Sequence, residues 1–222
     1  MLTNENSNKA KIGIISFPRS GSHLVSSIIS SMYMYTMGHF SFCEFYTCCK
    51  QVPCNKCSIL CKNHDFQLNL QKNLYEKIVV LYRKEPVESI DAYIRYEKSI
   101  NKYAVDYDAV AFEKDVAQKL VYYKRFLEKW VNHEDENIFK ISYEDMLSNT
   151  YQTIDNLRTF LLNDSYLNMS NYQQELYQKH LTSIILNSFK ISKKSEIELK
   201  NCKVIKKIIH SMHTEKLKHI LL

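Results

Sequence analysis

The sequence predicts an α/β fold with a central, mostly parallel sheet flanked by helices. Three observations carry that expectation. Short β-branched, apolar runs stand at Lys11–Ser16, Glu76–Tyr82 and Asn137–Ser142; segments of helical period separate them; and 45% of the residues are hydrophobic, enough for a full core. The run Glu76–Tyr82 (EKIVVLY) is the clearest, being continuously apolar as a central parallel strand should be.

Taken in order, Lys11–Ser16 reads as a buried strand that ends at the breaker Phe17-Pro18. Beyond Gly21, Ser22–Tyr35 places Leu24, Val25, Ile28, Ile29 and Met32 at helical spacing. Gly38–Asn55 shows neither period and reads as an irregular, cysteine-rich insertion. Ser58–Lys62 could form a second short strand ahead of Glu76–Tyr82. Pro86 then opens a helix, a position that suits proline because the first helical N–H has no partner anyway, and the helix runs to about Ile100. Tyr107–His133 reads as a long amphipathic helix, Asn137–Ser142 as a strand, and Thr150–Leu162 and Asn171–Asn187 as helices; Ile197–Leu222 looks helical and basic. The 222 residues suit one domain, 1–222, carrying an insertion at about 38–61.

Charge narrows the ligand class. Thirty Lys+Arg against 24 Asp+Glu give +6, which favours anionic ligands such as a phosphate-rich small molecule or a sulfated glycan. The lysines are scattered rather than gathered in one arm, which speaks against nucleic acid. Met1–Lys11 lacks the apolar stretch of a signal peptide and no run approaches membrane-spanning length, so a soluble, cytoplasmic chain is expected.

Six of the seven cysteines fall between Cys43 and Cys61. Cys54-Asn55-Lys56-Cys57 is a C-x-x-C pair, and Cys48 or Cys49 with Cys61 could complete a tetrahedral zinc site. The gaps are shorter than in familiar zinc modules, and local disulfides or reduced thiols stay open as readings.

The loop Phe17-Pro18-Arg19-Ser20-Gly21-Ser22 joins the first strand to the first helix. A helix N-terminus presents unpaired N–H groups and a partial positive charge, which attract phosphate. Gly21 permits close backbone approach, Ser20 and Ser22 add hydroxyl donors, and Arg19 adds a fixed charge with fork geometry. An ordinary strand-to-helix turn with a capping serine would read the same. The loop is not G-x-x-x-x-G-K-[ST], because Gly13 lies inside the strand and His23, not lysine, stands two residues after Gly21.

Four segments in order resemble the sulfotransferases that use 3′-phosphoadenosine 5′-phosphosulfate (PAPS). Pro18–Ser22 is similar to that family's P-[KR]-[ST]-G-[ST] loop, Lys62-Asn63-His64 to its K-[ST]-H element, Val80–Tyr93 to its 3′-phosphate motif, and Phe139–Leu147 to its Y-E-D-[LM] signature. The resemblance covers most of Lys11 to Leu162 and implies a three-layer, P-loop-like fold. It implies PAPS as donor, a hydroxyl acceptor and no required metal. Contacts to the 5′-phosphosulfate would come from Arg19, Ser20, Gly21, Ser22, His23 and Leu24. Lys62 would steady the transferring group, with Arg19 beside it, and His64 would take the acceptor proton. Arg83 would clamp the 3′-phosphate, and Tyr143 would border the adenine. The motif departs from the pattern at Lys84-Glu85, which adds a residue before Pro86 and sets Ala92 where the family has serine, so Ser89 is the substitute expected. Glu144 and Asp145 are expected to cap the following turn. Lys190, Lys193 and Lys194 stand where family members carry a basic closing segment, although a solvated basic face explains them as well.

A carbohydrate is the expected acceptor, because the family uses sugar hydroxyls widely and 16 Tyr and 10 Phe could stack sugars. A nucleotide-dependent phosphotransferase and a non-catalytic nucleotide-binding module of the same fold are the rival readings.

Overall fold

A computed structural model describes residues 10–38, 40–44, 48, 50–52, 54, 59–100, 108–162, 170–188 and 203–209. Five strands form one sheet: β1 (Ala10–Ser16), β2 (Phe42–Glu44), β3 (Leu60–Asn63), β4 (Tyr75–Tyr82) and β5 (Ile138–Ser142). The helices are α1 (Ser22–Met37), α2 (Val87–Ser99), α3 (Ala109–Trp130), α4 (Tyr143–Ser148), α5 (Thr150–Leu162) and α6 (Asn171–Ser188), with a further helical stretch at 203–209. The chain divides into two compact units, the first holding the sheet with α1, α4, α5 and α6, the second holding Phe17–Arg19 and Arg83–His133.

In the first unit the strand order is β2-β3-β1-β4-β5 and every pairing is parallel. The expected α/β class holds, and the sheet is wholly rather than mostly parallel. Ile14 sits beside Lys62 on one side and Val79 on the other, which fixes the register of the three central strands. Ile12, Ile14, Val79, Leu81 and Ile141 share a core with Val25, Ile28, Ile29 and Met32 of α1 and Ile154, Leu157 and Leu161 of α5. The alternate residues Ile15, Ile78 and Val80 are buried too, which explains why these strands read as unbroken apolar runs. Each such side chain contributes about 1.5–3 kcal/mol by leaving water. Gly13 is set by close approach: a Cβ there would lie 2.8 Å from the Tyr75 ring.

The second unit is built on α3. Its Phe126 and Trp130 are fully buried, and Phe17 stacks on Tyr122 at 5.3 Å and meets Tyr123 edge-on at 5.2 Å. These ring contacts anchor Phe17 within the unit. Lys119, 8% exposed, is held by Glu97 at 2.7 Å and by Asp115, with the Tyr93 ring 4.5 Å away.

Two expectations need correcting. Gly38–Asn55 is not wholly irregular, because Phe42–Glu44 pairs with β3 as an edge strand. Three residues are too few to display a period, so the pairing partner rather than the local pattern decides the strand. Secondly, Ser142 rather than Glu144 or Asp145 is the N-cap of α4, its Oγ accepting from the Asp145 amide while donating to that carboxylate. No helix among the described residues is long and apolar enough to cross a membrane.

Candidate functional site

The loop after β1 takes an uncommon backbone conformation. Arg19 (φ 64°) and Gly21 (φ 86°) both take the left-handed region, which is costly for arginine and natural for glycine. A Cβ on Gly21 would also stand 2.8 Å from the Tyr143 ring. Gly21 is the N-cap of α1, and no side chain among the described residues caps that helix or puts an acid in its first turn. Ser20 is 1% exposed, and its Oγ has no hydrogen-bond partner among the described residues. Uncapped amides beside an orphaned hydroxyl make a cradle suited to a phosphate or sulfate oxygen. Ser22 is buried, Leu24 is half-buried, and His23 is exposed. In the second unit the exposed Arg19 guanidinium lies 5.8 Å from the Tyr96 ring centre.

The end of β3 supplies a second group of side chains. Lys62 is 2% exposed, bonded to Glu44 at 2.8 Å, with its Nζ 3.3 Å from His23 Nε2. Glu44 is beside Lys62 because β2 and β3 run in register there. Burial pushes the Glu44 carboxyl up, but the bond to Lys62 and the charges of Lys62, His23 and His64 outweigh it and hold the group below the usual carboxylate range. Glu44 was not legible as a site residue: it lies on a three-residue strand in an aperiodic stretch, and only the pairing with β3 reveals it.

His64 follows β3 directly, and its Nδ1 lies 2.8 Å from the Ser16 carbonyl and 3.0 Å from Ser16 Oγ. A carbonyl can only accept, so Nδ1 carries the proton and Nε2 of the neutral ring keeps its lone pair. Burial, more than any neighbour, drives the His64 pKa down to about 4; the Lys62 charge adds to this, while the Ser16 bond opposes it. The Phe66 ring sits 5.4 Å away, centre to centre. Beside it, a cavity of about 590 Å³ is lined by Asn63, Asp65, Phe66, Gln67, Asn69 and Gln71, among others.

The first unit thus brings Gly21 to Tyr143, Lys62 to His23 and His64 to Ser16. The second unit holds the other expected residues. Arg83 follows β4, is 16% exposed and pairs with Glu88 at 2.8 Å, while Tyr123 Oη donates to the Arg83 and Lys84 carbonyls. Ser89 on α2 is fully buried, and its Oγ has no hydrogen-bond partner among the described residues. Ala92 is half-buried on the same helix. Lys190, Lys193 and Lys194 lie outside the described residues.

No protein-family model matches the chain, and no curated protein matches it. Among solved structures, a sulfotransferase domain from the curacin biosynthetic pathway is similar over 69% of this chain and 74% of that one. The identity is 15% and the TM-score 0.43, too distant to bear on activity.

Proposed function

We propose that the chain is a PAPS-dependent sulfotransferase acting on a hydroxyl, with carbohydrate as the acceptor class. The observation that carries this reading is the His64 Nδ1–Ser16 carbonyl bond. It fixes a neutral imidazole, protonated on Nδ1 and not on Nε2, directly after the strand β3 that carries the buried Lys62. In the reaction the acceptor oxygen attacks sulfur and an O–S bond forms. The S–O bond to the 5′-phosphate breaks, the acceptor proton passes to His64 Nε2, and the desulfated nucleotide (PAP) leaves. Burial keeps Nε2 unprotonated at neutral pH, at the expense of basicity, so departure of the phosphate must supply much of the driving force.

Support for the donor comes from the α1 cradle. Its uncapped amides with Ser20, Ser22, His23 and Leu24 would hold the 5′-phosphosulfate, with Arg19 adding charge. Arg83 and Ser89 would meet the 3′-phosphate and Tyr143 the adenine, as the sequence resemblance implies. Support for a sugar comes from the cavity next to His64, whose amides, one carboxylate and Phe66 match the mixed polar and apolar surface of a pyranose. The test is transfer of labelled sulfate from PAPS to a panel of glycan, phenol and lipid hydroxyls, run beside ATP with magnesium. Label on a glycan supports the proposal in full; label on another hydroxyl overturns the acceptor class. Magnesium-dependent phosphate transfer points to a phosphotransferase, and nucleotide binding without turnover to a non-catalytic module.

A further inference from the structure

The cysteines of the insertion are assigned no role in the proposed transfer, yet three of their sulfurs gather in one place. The Sγ atoms of Cys43, Cys48 and Cys54 all lie within 4.8 Å of one another, and those of Cys48 and Cys54 are 4.0 Å apart. Two sulfurs joined in a disulfide stand about 2.0 Å apart, so the observed spacing is not a bond. Two thiolates on one tetrahedral zinc stand about 3.8 Å apart, given Zn–S distances of about 2.3 Å. The three sulfurs therefore sit close to the edge length of a thiolate tetrahedron, and small side-chain adjustments would complete one face. One disulfide could use only two of the three.

We propose that Cys43, Cys48 and Cys54 bind one structural Zn²⁺. Each ligating thiol releases its proton to solvent as it binds, so uptake is favoured by rising pH. Soft thiolates in tetrahedral array select zinc over magnesium or calcium. The three thiolates leave the fourth tetrahedral position to a further ligand. The location gives the ion a purpose. Cys43 belongs to the three-residue edge strand β2, which is too short to hold its place on ladder bonds alone. A metal tying Cys43 to Cys48 and Cys54 would pin that strand, and with it Glu44 against Lys62.

The experiment is metal analysis of the full chain purified without chelator, with native mass spectrometry to count thiols. About one zinc per chain is expected, lost in Cys43→Ser and Cys54→Ser and retained in Cys61→Ser. Because the first two variants could misfold, cobalt titration of the unaltered, metal-stripped chain is the second measurement. Intense thiolate-to-cobalt absorption at one equivalent, displaced by zinc, supports the site. Absence of that absorption, no zinc in the purified chain, or a mass two protons short from a Cys48–Cys54 disulfide overturns it. None of these readouts requires sulfuryl transfer, so the site stands or falls apart from the proposed activity.

Discussion

The residues assigned to the two ends of the nucleotide differ in how ready they are. Around the α1 cradle, no side chain among the described residues caps the helix amides or partners Ser20 Oγ, and the Ser16 carbonyl holds His64 in one tautomer. On the α2 side, Arg83 is engaged by Glu88 and the Ser89 hydroxyl is enclosed. Ser89, like Ser20, offers a buried hydroxyl with no hydrogen-bond partner among the described residues, so under the proposed reading the difference rests on Arg83, which would have to exchange Glu88 for a phosphate. Variants of the first group should therefore abolish function, and variants of the second should adjust affinity.

The largest effect is expected at His64. His64→Ala should lower kcat by about 10²–10⁴-fold while PAP binding changes little; retained turnover would remove His64 as the base. Gly21→Ala comes next, since it forces a Cβ against the Tyr143 ring at a φ of 86°. A loss of about 1–3 kcal/mol in thermal or urea unfolding is expected, and an unchanged midpoint would contradict the described loop. Arg83→Ala should weaken PAP by about tenfold or more, yet leave AMP, which has no 3′-phosphate, unaffected. Equal losses for both would place Arg83 elsewhere. The smallest effect belongs to Ser89→Ala. Removing a buried hydroxyl with no hydrogen-bond partner among the described residues should leave stability within about 1 kcal/mol, so any loss of PAP affinity in that variant reports a phosphate contact.

His64 also sets a pH dependence. Its folded pKa, about 4, lies below the ordinary 6.5, so between those values the unfolded chain binds the proton more readily. Stability should fall as pH drops from about 6.5 to about 4, by on the order of 3 kcal/mol from this group. His64→Gln should flatten that part of the curve; an unchanged slope would contradict the burial.

Much of this was legible in the sequence where the signal is local. The β1–loop–α1 unit and the apolar β4 announce themselves because periodicity and breakers act over neighbouring residues. The contacts that complete the site are not local. Ser16 meets His64 across 48 positions, Glu44 reaches Lys62 only because two short strands pair in register, and Ser142 takes the cap by backbone geometry that acidic composition does not reveal. The three sulfurs likewise needed coordinates: the sequence grouped Cys54 and Cys57 with Cys48 or Cys49 and Cys61, whereas among the described residues the sulfurs that gather are those of Cys43, Cys48 and Cys54.

Titration calorimetry with PAP, AMP and ATP in the absence of magnesium is the most direct test that the β1 loop begins a site for a two-phosphate nucleotide. PAP should bind at least about tenfold more tightly than AMP, a difference of about 1.4 kcal/mol for the second phosphate, and more tightly than ATP. PAP binding no better than AMP, or ATP preferred once magnesium is added, would contradict the account.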